Sequence, residues 1–272
     1  MTDFTIMFLK SISELPVLPQ VSESFSQWIS HFFTAYTASY YKKDDFTFNR
    51  HVELKQIHIK NVCAEIRGIC NSLGMNKRQL AFAEIIARLH DIGRFEQFER
   101  YRTFSDADSE NHSEMTLQII EEYNLLKDLM PEMQQIILQA ILNHNQPVVP
   151  DNEPPLIDFY SRLLRDADKL DIWRIVVGTN IFHSIHTEPL PDTYEVPDEM
   201  LECFKKNSIV TIDMVDSFYD IVLFRLSWVF DINFSYTLNS ACERNVFGQL
   251  LAKLPSSEKL DKIVQIIGRY VN

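Results

Sequence analysis

Glycine is scarce in this chain, with six residues among 272. β-branched runs are short as well, so tight hairpins and extended sheets lack their usual residues. The four cysteines, Cys63, Cys70, Cys203 and Cys242, include no CxxC pair, which argues against a zinc knuckle or a disulfide framework. No apolar run reaches the roughly 18 residues expected of a membrane span. The opening residues MTDFTIMFLKSISELPVLP have no basic n-region and carry Asp3, Lys10 and Glu14, so no signal peptide is expected. Excess positive charge is also missing. A formal net charge of −12 repels nucleic-acid backbones and anionic membranes, leaving a small molecule as the expected partner. GxSxG, a P-loop, GxGxxG and HExxH are all absent, so several common nucleophile, nucleotide and zinc sites are not expected. A reduced, cytoplasmic setting fits these absences.

What is present is an apolar fraction of 46%, ample for a core, with apolar residues recurring at three- and four-residue spacing. The expectation is an all-α protein. Helices are predicted over about 23–43, 51–73 and 77–90, then a short helix plus loop in 94–108. Further helices are predicted over about 110–125, 131–144 and 155–187, the last broken near Gly178. The C-terminal part should hold helices near 198–206, 212–231, 234–247 and 256–271. Ser22 and Asn76 are natural N-caps. The stretch 145–155 carries four prolines and reads as a loop, as does 187–198. Cys63 and Cys70 share a helix face and are expected in the core. All 272 residues are expected to form one domain, with a core at about 45–185 and C-terminal helices at about 190–272 packed on it.

The most informative residues are His90 and Asp91, in the run Arg-Leu-His-Asp-Ile-Gly-Arg at 88–94. An imidazole and a carboxylate from one point of the backbone suit a hard or borderline divalent metal such as Mn, Fe, Co, Ni or Zn. The pair ends the apolar stretch AFAEIIARL, and buried polar groups there need a partner. His58 or His51 upstream, and His112 and His144 downstream, are further ligand candidates. Asp166, Asp168 and Asp171 compete for a last position. On a helix, Asp166 and Asp168 point about 200° apart, whereas Asp168 and Asp171 share a face.

The order H…HD…H…H…D resembles the HD-domain superfamily of metal-dependent phosphohydrolases. HIKNV at 58–62 is similar to the His-x-x-x-Val start of such domains, favouring His58 over His51. Ala167-Asp168-Lys169-Leu170 matches an Ala-Asp-x-Leu setting, favouring Asp168. The resemblance runs from His58 to Asp168, and HDIGRFEQFERYRTFSDADSENH looks like a bacterial subgroup without an assigned substrate. It implies an HD-type helical bundle with additional C-terminal helices. It also implies one or two divalent ions (Mn, Fe, Co, Ni, Zn or Mg) on His58, His90, Asp91 and Asp168, with His112 and His144 as ligands of a second ion or as substrate contacts. Relatives with two ions often carry adjacent histidines where this chain has His144-Asn145, and no Gly-Tyr-Pro motif occurs here.

A metal both activates water and neutralises phosphoryl oxygens, so hydrolysis of a nucleotide or other small phosphate ester needs no separate nucleophile. His90 and Asp91 would be the catalytic pair with Arg94. Arg94, Lys169 and Arg102 are the candidate phosphate contacts. Cyclic nucleotide or dinucleotide diester hydrolysis, a regulatory nucleotide-binding module and di-iron oxidation are the competing functions. A homodimer is left open. His183 and His186, three apart, read as structural because no third ligand accompanies them.

Overall fold

The computed structural model describes residues 12–13, 15–178 and 192–271, and among these every regular element is helical. The all-α expectation therefore holds. His183 and His186, the residues before 12, and the expected helix end and loop within 179–191 lie outside the described residues.

The described residues divide into two compact units, one spanning Ser11–Asp168 and the other beginning at Lys169. The first contains α1 (Glu23–Ala38), α2 (Phe46–Ser72), α3 (Lys77–Leu89), α4 (Gly93–Tyr101), α5 (His112–Glu122) and α6 (Pro131–His144). It also takes the first part of α7 (Pro155–Gly178). Ser22 caps α1 by accepting from Phe25 N, and Asn76 caps α3 in a capping box with Gln79. Helix α2 packs on α3, α3 on α1 and α6, and α4 on α5. Ile59, Val62 and Ile66 of α2 and Phe82, Ile85 and Ile86 of α3 are buried. Cys63 and Cys70 are buried and free, and burial pushes their thiols up to about 11 and about 12.

Gly93 sets the spacing of α4 and α5. A Cβ at this position would meet His112 O at 2.5 Å and Thr116 N at 2.7 Å. Only a residue without a side chain permits that approach. The turn between α3 and α4 is correspondingly short, with Ile92 N donating to Leu89 O at 3.1 Å and Arg94 N to Asp91 O at 3.0 Å.

The second unit holds the rest of α7, then α8 (Asp198–Lys205), α9 (Phe218–Ser227), α10 (Ser235–Glu243), α11 (Val246–Leu251) and α12 (Glu258–Val271). Two expected helices are interrupted. The region 212–231 splits because Ser217 adopts extended backbone and accepts from Asp220 N, starting α9 afresh. The region 234–247 splits at Asn245, whose φ of 50° is left-handed. The division between the two units falls within α7, at 168/169. From Leu170 onward the apolar face of α7 belongs to the C-terminal core: Trp173 and Val176 cluster with Phe204, Leu226, Leu250 and Ile263.

Candidate metal centre

Five helices of the first unit bring one polar residue or more to a common point. His58 lies on α2. His90 caps the end of α3, and Asp91 follows in the turn to α4. His112 is the first residue of α5, after the N-cap Asn111, and His144 is the last residue of α6. Asp168 comes from α7.

Asp91 is at the middle of the group, and its two oxygens face different partners. Oδ2 lies 3.6 Å from His58 Nε2, 3.8 Å from His90 Nε2 and 3.0 Å from Lys55 Nζ. Oδ1 lies 3.4 Å from His112 Nε2, 3.9 Å from His144 Nε2 and 3.6 Å from Arg94 Nε. Asp168 Oδ1 lies 3.1 Å from His58 Nε2 and 3.9 Å from His90 Nε2. Two ligand-like sets emerge, His58–His90–Asp168 and His90–Asp91–His144, each with its donor atoms within 4.8 Å of one another.

Three imidazoles are anchored through Nδ1. His90 Nδ1 lies 2.7 Å from Ala87 O, His144 Nδ1 contacts Ile141 O, and His112 Nδ1 lies 2.7 Å from Asp106 Oδ2. Carbonyl and carboxylate oxygens only accept, so each Nδ1 carries the hydrogen and each Nε2 presents a lone pair to the centre. His112 Nε2 and His144 Nε2 then face each other at 3.2 Å. Two lone pairs at that distance repel unless a cation lies between them. Nitrogens at roughly 2.0–2.1 Å from one tetrahedral ion stand about 3.3 Å apart. His90 Nε2 is buried with no hydrogen-bond partner, and the buried Asp168 Oδ1 has His58 Nε2 as its near neighbour. Leaving a buried ring nitrogen unsatisfied is costly, and a cation satisfies it.

The protonation states agree with that chemistry. Burial pushes the His90, His112 and His144 rings down, His144 to about 3. Burial pushes Asp91 up, but Lys55, His90, Arg94 and His112 outweigh it and hold the carboxyl well below its usual range. Asp168 is likewise raised by burial and lowered further by the His58 contact. Neutral imidazoles beside ionised carboxylates are the form that divalent cations bind. The six residues expected as ligands are thus brought together, and their donor set fits a divalent metal.

The other candidates lie elsewhere. His51 stacks on Phe98 with ring centroids 4.4 Å apart and bonds to Thr47 O. Asp171 is buried against Arg174, and Asp166 is fully buried. Arg94 is part of the centre, yet its Nη1 donates to Gln97 Oε1, Phe104 O and Asp106 Oδ1, which also makes it a strap for the 104–106 loop. Two expected phosphate contacts have other partners. Lys169 is buried, and its Nζ donates to Asp231 O at 2.6 Å and pairs with the Asp231 carboxylate inside the C-terminal unit. A buried ammonium must be offset by a close carboxylate, and Asp231 supplies it. Arg102 is exposed, with its guanidinium 4.4 Å from the Phe48 ring centroid and 3.5 Å from Asp45 Oδ2.

Three participants were not anticipated. Lys55 lies one helical turn before His58, so helix periodicity could have identified it. Asp106 reaches His112 across the loop that precedes α5, and Asn145 Nδ2 donates to Asp106 Oδ2 at 3.0 Å. No local pattern announces those two.

Residues 56–173 match the HD domain family. No curated protein and no solved structure matches the chain.

Proposed function

Starting from residues 56–173 as an HD domain, we propose that this chain is a metal-dependent phosphohydrolase acting on a nucleotide or other small phosphate ester. The observation that carries the reading is the buried His90 Nε2, which has no hydrogen-bond partner and faces the carboxylates of Asp91 and Asp168 beside His58. A buried site of this kind is completed by a cation and by little else. HD domains are a family of metal-dependent phosphohydrolases, and the missing nucleophile motifs fit a reaction in which water attacks.

His58, His90, Asp91 and Asp168 would hold the ion, with His112 and His144 available on the other oxygen of Asp91. The metal, Mn, Fe, Co, Ni, Zn or Mg, would supply Lewis acidity toward the phosphoryl group and a lowered pKa for water. The protein's own contribution is orientation. Ala87 O, Ile141 O and Asp106 fix three rings so that Nε2 points inward. Arg94 stands beside Asp91, 15% exposed, where it can meet a phosphoryl oxygen. The net charge of −12 favours a small phosphorylated substrate over a nucleic acid or an anionic membrane. Among the described residues no helix is long and apolar enough to cross a membrane.

A second reading, hydrolysis of a cyclic nucleotide or dinucleotide with two ions, draws support from the division of Asp91's oxygens between two histidine pairs. Metal analysis of protein purified without chelator, together with a phosphate-release screen over mono- and diesters, tests both. Bound metal and release from monoesters are expected. Asp91→Ala should lose metal and turnover while keeping the helical circular dichroism spectrum. A metal-retaining Asp91→Ala protein would sink the ligand assignment, and metal without any turnover would favour a regulatory module.

A further inference from the structure

We propose that Lys55 is an anion-binding residue kept in reserve by Asp91. Its ammonium neutralises that carboxylate in the metal-free chain and turns to a phosphoryl oxygen once a divalent cation takes the carboxylate. The inference rests on the phosphohydrolase reading and adds to it a named phosphate contact.

Lys55 and His58 are three apart on α2 and therefore share a face. Lys55 Nζ lies 3.0 Å from Asp91 Oδ2, the same oxygen that faces His58 Nε2 at 3.6 Å and His90 Nε2 at 3.8 Å. A metal on those histidines needs that oxygen, and an ammonium beside a divalent cation is repelled. Lys55 has somewhere to go. Its side chain is 20% exposed, and its Nζ already lies 5.0 Å from the centroid of the Phe104 ring, whose face attracts a cation. Arg94 differs in this respect, because three acceptors pin its Nη1. One adjustable and one fixed cation thus flank the two oxygens of a single carboxylate.

Charge favours the same outcome. Asp91, Asp106 and Asp168 against Lys55 and Arg94 leave the metal-free centre one charge negative when the histidines are neutral. One divalent ion makes it one positive, so the centre changes from repelling to attracting an anionic phosphate. The release of Lys55 therefore couples metal uptake to anion binding.

The coupling predicts opposite effects from one substitution. Mn²⁺ is titrated into metal-free wild type, Lys55→Met and Lys55→Arg by calorimetry, and inorganic phosphate is then titrated into each Mn²⁺-loaded protein. Lys55→Met should bind Mn²⁺ more tightly than wild type and phosphate about tenfold more weakly, the usual scale for losing one charge-assisted contact. Lys55→Arg should retain phosphate binding. A purely structural lysine would lower both affinities together in Lys55→Met, and that result overturns the proposal. Unchanged phosphate affinity in Lys55→Met, with metal bound, overturns it as well and leaves the phosphohydrolase reading intact. A wild-type chain that takes up no Mn²⁺ or other divalent ion overturns both.

Discussion

Asp106 Oδ2 lies 2.7 Å from His112 Nδ1, and so it determines which nitrogen of His112 faces the centre. The same carboxylate accepts from Arg94 Nη1 and Gln97 Nε2 through Oδ1, each at 2.9 Å, and is therefore held rigidly. Its pKa falls well below the usual range: burial raises it, and the hydrogen bond from His112, the charge of Arg94 and the hydrogen bond from Gln97 overcome that. A carboxylate behind a histidine fixes ring orientation and raises the basicity of the other nitrogen.

Asp106→Ala should therefore weaken binding of the ion that His112 holds by about 10- to 100-fold, without removing any ligand. Metal titration of the variant reads this directly. Nitrogen NMR of His112 should show the Nδ1–H form in wild type and a mixture of tautomers in the variant. An unchanged isotherm with an unchanged tautomer would mean that Asp106 serves only the loop.

Gly93→Ala is expected to destabilise the protein by about 1–3 kcal/mol, the usual range for overpacking. The added carbon would press on His112 O and Thr116 N, and backbone atoms cannot rotate away as a side-chain tip can. Because His112 opens α5, separating α4 from α5 should also lower metal affinity. Urea unfolding and metal titration check the two effects. A variant with the wild-type midpoint would show that the helices part at little cost.

Each residue is legible in the sequence only as far as its local signal reaches. Ser22 and Asn76 were legible because capping is local: one side chain meets backbone two or three residues on. His90 and Asp91 were legible because polar residues ending an apolar helix demand a partner. His58 and Asp168 came from resemblance, since helix periodicity alone left His51, Asp166 and Asp171 in contention. The Asp231 partner of Lys169 lies 62 residues later, beyond the reach of any local pattern. The Asp106–Asn145 contact has no sequence signal, because a loop has no period to read. The break at Asn245 has none for a related reason, as a left-handed asparagine inside an apolar pattern leaves the pattern unchanged.

The double change His112→Ala with His144→Ala removes the facing Nε2 atoms, 3.2 Å apart, while leaving His58, His90, Asp91 and Asp168 in place. If two ions bind, the count per chain should fall to one. If one ion binds, its affinity should persist and phosphate binding should weaken. Elemental analysis and phosphate calorimetry separate these outcomes. Unchanged metal count, phosphate affinity and turnover would return both histidines to a structural role.

The metal-free protein should lose stability as pH is lowered from neutrality, beginning earlier than carboxylates alone would dictate. Burial holds His144 to about 3, and His90 and His112 are lowered in the same way. An unfolded histidine titrates near 6.5, so below about that pH the unfolded chain binds protons that the folded chain refuses. Stability is therefore full above about 6.5 and declines toward the folded value of His144, by an amount of order 2 kcal/mol at pH 5 for this residue alone. The lowered carboxyls of Asp91, Asp106 and Asp168 add a loss in the same direction below about pH 4. Urea midpoints of chelator-treated protein between pH 7.5 and pH 5 measure the decline. His144→Gln should flatten it, because glutamine has no proton to take up in either state. Added metal should raise the midpoint by a similar amount across this range, because the folded imidazoles that would bind it are already neutral. A midpoint independent of pH over this range would show that these rings accept protons in the folded state, contrary to their burial among lone pairs.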